Sequence, residues 1–209
     1  MLTVLALDSL ALARGDTMVT FKLGSDQDEG TSRGSMLDSR IGDEYESIIS
    51  ILRNTGGMLE RSPKTFAGMK EESLRDLFLV TLNSHYGGQV TSETFNKSGK
   101  TDILVRDGDR SVLIAECKIW RGQASLCGAI DQLLQYVTWR DTNTAILLFN
   151  RNKEISQVVA QIPVVVSKHP NFKREIPISG DGTYRCVLGH RDDSNRELIV
   201  TILVFEVPD

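Results

Sequence analysis

Residues 97–120 read KSGKTDILVRDGDRSVLIAECKIW, and the reading of this stretch decides the fold. Two runs rich in β-branched and apolar residues, Thr101–Arg106 and Ser111–Trp120, flank Asp107-Gly108. That dipeptide favours a tight turn, so the stretch predicts a β-hairpin. Charge falls where a buried strand rarely carries it. Asp102 interrupts the first run, and Glu116 and Lys118 follow the apolar Val112-Leu113-Ile114-Ala115 in the second. Side chains alternate faces along a strand, so Glu116 and Lys118 point one way and Cys117 the other. A hairpin centred near residue 109 sets Asp102 opposite Glu116, and a turn displaced by a residue leaves them diagonal neighbours within reach.

The pattern therefore gathers two carboxylates and one ammonium on one face of an apolar hairpin. Two carboxylates at close range repel unless a cation lies between them. Hard oxygen ligands suit Mg²⁺ or Mn²⁺, and a neighbouring lysine can orient water or offset charge developing on a phosphate. The bland alternative is a structural Glu–Lys or Asp–Lys ion pair on a sheet face.

Outward from the hairpin, Gln89–Asn96 reads as a strand, and Met69–His85 as a helix with Leu74, Leu77, Phe78, Thr81 and Leu82 on one face. Asp43–Arg53 is a shorter amphipathic helix that Gly56-Gly57 should stop. Downstream, Ser125–Trp139 is a helix with Ser125 as a candidate cap, and Thr144–Asn150 is a buried strand. Glu154–Lys168 has helical character that Pro163 should kink or divide, and Tyr184–Arg191 with Leu198–Val207 forms a last hairpin. Gly24–Arg40 is rich in Gly, Ser and Asp and reads as a linker. The expected domains are residues 1–40, an N-terminal extension and linker, and residues 41–209, the folded domain. The expected class is α/β, a central mixed β-sheet flanked by helices, with an extra N-terminal helix and a C-terminal β-hairpin.

Composition bounds the rest. With 40% hydrophobic and 25% charged residues the chain can bury a real core. A net charge of -4 counts mildly against nucleic-acid binding, although acidic metal ligands are neutralised by their ion. Between Arg151 and Arg174 five Lys/Arg stand against Glu154 alone, either a solvated face or a phosphate-contacting rim. Three cysteines without paired spacing and three scattered histidines give no zinc site and no disulfide framework, which fits a cytoplasmic setting. No apolar run spans a bilayer, and the opening MLTVLALDSLALARG lacks a basic start and is broken by Asp8, so it does not read as a signal peptide.

Asp102, thirteen residues, then Glu116-Cys117-Lys118 resembles the P-D…(D/E)-x-K signature of the restriction-endonuclease-like nuclease superfamily, with Thr101 in place of the proline. The helix, three strands, helix, strand order over residues 69–150 resembles that superfamily's αβββαβ core. The resemblance implies that Asp102 and Glu116 bind Mg²⁺ or Mn²⁺, that the Cys117 carbonyl adds a ligand, and that Lys118 positions or activates the attacking water. It also implies a third acid near the start of the first core helix. Helical geometry selects Glu71 over Glu72, since Glu71 shares the face of Leu74 and Phe78, while Glu72 turns toward Arg75, Asp76 and Leu79. Gln132 and Tyr136 match a Q-x-x-x-Y motif of some branches and read as substrate-orienting groups, or else Tyr136 and Trp139 pack a second buried face. Lys100, Arg121 and Arg140 are candidate phosphate contacts. The implied activity is metal-dependent cleavage of phosphodiesters, most naturally in DNA, in defence or repair; residues 41–209 show no legible recognition element and leave little room for one, so weak sequence specificity is expected. A homodimer is compatible with it, and the alternative is an inactive nucleic-acid-binding or interaction module of the same fold.

Overall fold

A computed structural model describes residues 29–92, 94–96 and 99–208, with side chains over 42–92 and 101–208. The chain divides after Leu37, and the unit Asp38–Asp209 contains every strand among the described residues. In chain order the elements are α1 (Glu29–Arg61), α2 (Pro63–Phe66), α3 (Glu71–Tyr86), β1 (Val90–Thr91), β2 (Thr94–Asn96), β3 (Gly99–Thr101), β4 (Ile103–Asp107) and β5 (Arg110–Ile119). Then follow α4 (Gln123–Tyr136), β6 (Asn143–Asn150), α5 (Ile155–Ser167), β7 (Phe172–Glu175), β8 (Thr183–Gly189) and β9 (Glu197–Glu206).

Seven strands form one mixed sheet in the order β1-β4-β5-β6-β9-β8-β7, parallel across β5, β6 and β9 and antiparallel elsewhere. β2 and β3 pair separately. Alternation along β5 splits the core. Leu113, Ala115, Cys117 and Ile119 join α1 and α3 on one face, while Ile114 and, from β4, Leu104 join α4 and α5 on the other. The sheet is thus covered by helices on both faces, the layering that buries a parallel centre. Among the described residues no helix is long and apolar enough to cross a membrane.

The structure differs from the sequence reading in several places. The linker expected to Arg40 is helical from Glu29, and α1 runs through Gly56-Gly57. Gly56 is there for packing: a Cβ built on it would lie 2.0 Å from the Phe205 ring. That ring also packs with Phe78 and Phe149, so a close tertiary approach offsets glycine's weak helix propensity. Pro163 neither divides nor ends α5. Ser125 is not the cap of α4; Gly122, at φ +101°, precedes the helix, and the Ser125 hydroxyl accepts from Arg121 N–H and donates to the Gly122 carbonyl. Gln89–Asn96 is not one strand but β1 and β2. The C-terminal hairpin and the N-terminal helix are not peripheral: β9 lies between β6 and β8, and Ile48, Ile49 and Leu52 of α1 are buried in the core.

Candidate active site

β4 and β5 pair with Ile103 opposite Ala115, which carries Asp102, in the bend just before β4, to the level of Glu116. A register shift between Val105 and Arg106 brings Asp107 opposite Arg110 at the Gly108 turn. Glu116 and Lys118 share one face of β5, and Asp102, in the bend before β4, comes close enough to Glu116 for the two carboxyls to influence each other. The Cys117 amide donates to Asp102 Oδ2 at 2.8 Å, fixing the carboxylate against β5.

α3 supplies the third acid. Glu71, its first residue, accepts from the Ile119 amide at 2.7 Å and meets Lys118 Nζ at 3.4 Å. Lys118 Nζ also stands 4.0 Å from Glu116 Oε1. Glu72 is exposed. The sequence reading turned Glu72 toward solvent beside Arg75 and Leu79, but Arg75 and Leu79 themselves are buried. Arg75 is the group that reading missed: its guanidinium lies 3.6 Å from Asp102 Oδ1 and also bonds Asp76. Its position one turn after Glu71 was a usable signal, because residues four apart share a helix face.

Glu116 is the anomaly of the site. It is 1% exposed, and neither oxygen accepts a hydrogen bond from a protein donor, although the protonated carboxyl can share its proton with Asp102. Burial, then the neighbouring Asp102 carboxylate, pushes its carboxyl up to about 8, with Lys118 opposing. Burial also raises Asp102, against the Cys117 amide and Arg75, which hold it down. Burial pushes the Cys117 thiol well above its ordinary range, consistent with a core residue rather than a nucleophile.

The titration of Glu116 has a sign that can be tested without activity. In metal-free protein a carboxyl raised from 4.5 to about 8 binds its proton more tightly folded than unfolded. Stability is then full below the unfolded value and falls as pH rises through the folded one. The thermal midpoint should drop between about pH 5 and pH 8, and Glu116→Gln should flatten that slope; a wild-type midpoint that does not fall across this window removes the assignment.

As placed, no three His, Cys, Asp or Glu side chains among the described residues form a cluster able to hold a metal ion, and Lys118 lies against Glu71 and Glu116. Mg²⁺ does not need three. It keeps several waters and is commonly held by one or two carboxylates. Two buried, donorless oxygens of Glu116 beside the Asp102 carboxylate fit a hard cation of that kind.

The remaining candidates divide. Arg121 lines a cavity of about 410 Å³ with Lys70, Glu71, Lys118 and Arg151. Gln132 Nε2 donates to the Tyr136 hydroxyl at 2.8 Å, and Tyr136 is buried, so the two form a pair along α4. Trp139 is 55% exposed and does not pack a second buried face; the Arg140 and Arg196 guanidiniums lie over its ring. The Lys100 side chain and residues 1–28 lie outside what the structure describes. Compared with protein-family models, curated proteins and solved structures, the chain matches none.

Proposed function

We propose that this protein is a divalent-metal-dependent nuclease of the restriction-endonuclease-like kind, hydrolysing phosphodiesters in DNA. The observation that carries the reading is Glu116, a buried carboxylate with two donorless oxygens set against Asp102 and within 4.0 Å of Lys118. Lys118 is shared between Glu71 at 3.4 Å and Glu116 at 4.0 Å, and it offsets only part of the cost of burying a carboxyl group beside a second one. In this reading Asp102 and Glu116 hold Mg²⁺ or Mn²⁺, with the Cys117 carbonyl and Glu71 in supporting positions. When bound, the ion lowers the pKa of water and polarises the phosphodiester. Lys118 holds the attacking water or offsets charge on the phosphate, and Lys70, Arg121 and Arg151 give the adjoining cavity a cationic wall. Hydrolysis breaks one P–O bond and leaves a phosphomonoester and a hydroxyl. The sheet and its covering helices take up most of the folded unit, which favours weak sequence specificity.

The test is cleavage of plasmid and single-stranded DNA with titrated metal. Mg²⁺ and Mn²⁺ should support turnover, Ca²⁺ should support binding with little turnover because its coordination is larger and looser, and EDTA should abolish activity. Undiminished cleavage in excess EDTA removes the site. DNA binding without cleavage under every metal favours the inactive binding module.

A further inference from the structure

We infer that Arg75 is a positioning residue that holds Asp102 in the orientation from which it binds the cation, and that Asp76 braces Arg75 for this task. The inference rests on the proposed metal-dependent reading and deepens it. Arg75 is 9% exposed, on the α3 stripe that faces the sheet. Its Nη1 lies 3.6 Å from Asp102 Oδ1, while Asp102 Oδ2 takes the Cys117 amide at 2.8 Å. One oxygen of the carboxylate thus takes a hydrogen bond from β5, and the other faces the Arg75 cation of α3 across an ion-pair contact. Without the α3 contact, repulsion from Glu116 would swing Asp102 away, since only one oxygen would still be held.

A second function for Arg75 competes with this one, and the two predict opposite signs. A guanidinium beside a metal ligand also repels a cation. If Arg75 were only a counter-charge for the acids, removing it would tighten metal binding. Asp76 decides between them. Arg75 Nε and Nη2 both donate to Asp76 Oδ1, at 3.2 and 3.1 Å, so a neighbouring, largely exposed anion offsets part of the charge and restrains the planar fork. A residue kept for its charge gains nothing from that tether. A residue kept for its geometry does, because a fork held by Asp76 at Nε and Nη2 directs Nη1 toward Asp102. Groups that orient metal-binding side chains in this way typically contribute about 10–100-fold to metal affinity.

The experiment is Mn²⁺ binding by calorimetry to wild type, Arg75→Met and Arg75→Lys, with melting curves to confirm folding. Methionine keeps the apolar stem and removes both charge and fork; lysine keeps the charge and removes the fork. Both variants should bind Mn²⁺ at least about ten-fold more weakly. Tighter or unchanged binding in Arg75→Met, or wild-type affinity in Arg75→Lys, overturns the inference. Should the methionine variant fail to fold, the lysine variant carries the test alone, since only the geometric role predicts its loss. The wild-type isotherm separates the two levels: no Mn²⁺ binding there rejects the metal-dependent reading and this inference with it, whereas normal wild-type binding with insensitive variants rejects only the role of Arg75.

Discussion

Lys118→Ala and Asp102→Asn are each expected to reduce DNA cleavage by at least about 10²-fold at saturating Mg²⁺, the lower end of what a positioned acid–base group contributes. Both proteins should stay folded. Lys118 is 30% exposed at the cavity wall, and its ammonium contacts other members of the site rather than the core. Alanine there releases Glu71 and Glu116 from their shared cation without opening a cavity among apolar side chains. Asparagine at 102 keeps an oxygen for the Cys117 amide, so the tie from β5 survives while the charge facing Glu116 is lost. The two substitutions separate the roles. Asp102→Asn should weaken Mn²⁺ binding as well as turnover, because a metal-binding charge is gone. Lys118→Ala should leave binding of the ion intact or stronger, because a competing cation is gone, and lose turnover alone. Single-turnover cleavage beside a binding isotherm reads both, and wild-type activity in either folded variant removes the mechanism.

What the sequence made legible was local chemistry, and what it hid was set by distant contacts. Asp107-Gly108 announced the turn because positive φ there suits glycine, and Gly108 has φ +58°. Strand pairing around that turn brought Asp102 to the level of Glu116 without reference to the rest of the chain, even though the shift at Val105/Arg106 moved the turn pair itself. By contrast, nothing near Gly56 shows that Phe205, 149 residues later, needs the space a side chain would fill. The apolar run in β9 is one arm of the expected terminal hairpin with β8, and its continuous burial comes from a second, parallel pairing to β6 that no local pattern shows. Arg75 stayed hidden because a charged residue on a helix is read as solvent-facing, and its ion pair with Asp102 is a contact between residues far apart in sequence.

Glu71→Gln is expected to raise the Mg²⁺ concentration for half-maximal cleavage by about ten-fold, with Glu72→Gln changing it by less than about two-fold. The two residues are neighbours at the start of α3, and both would favour the positive end of a helix dipole, so composition does not distinguish them. Geometry does. Glu71 accepts from the Ile119 amide and meets Lys118, which places its charge one side chain from Glu116. Glutamine retains an oxygen for the Ile119 amide, so the link between α3 and the end of β5 persists and the loss reports charge rather than folding. Glu72 lines the same cavity but is exposed, where water screens its influence on an ion at the buried carboxylates. The comparison should be made at limiting Mg²⁺, since saturating metal would mask a weakened ligand. A larger loss in Glu72→Gln, or equal indifference in both, would show that Glu71 serves the helix start and the strand end without serving the ion. Then Lys118 would be tethered by Glu71 for architecture alone, and the site would reduce to Asp102 and Glu116.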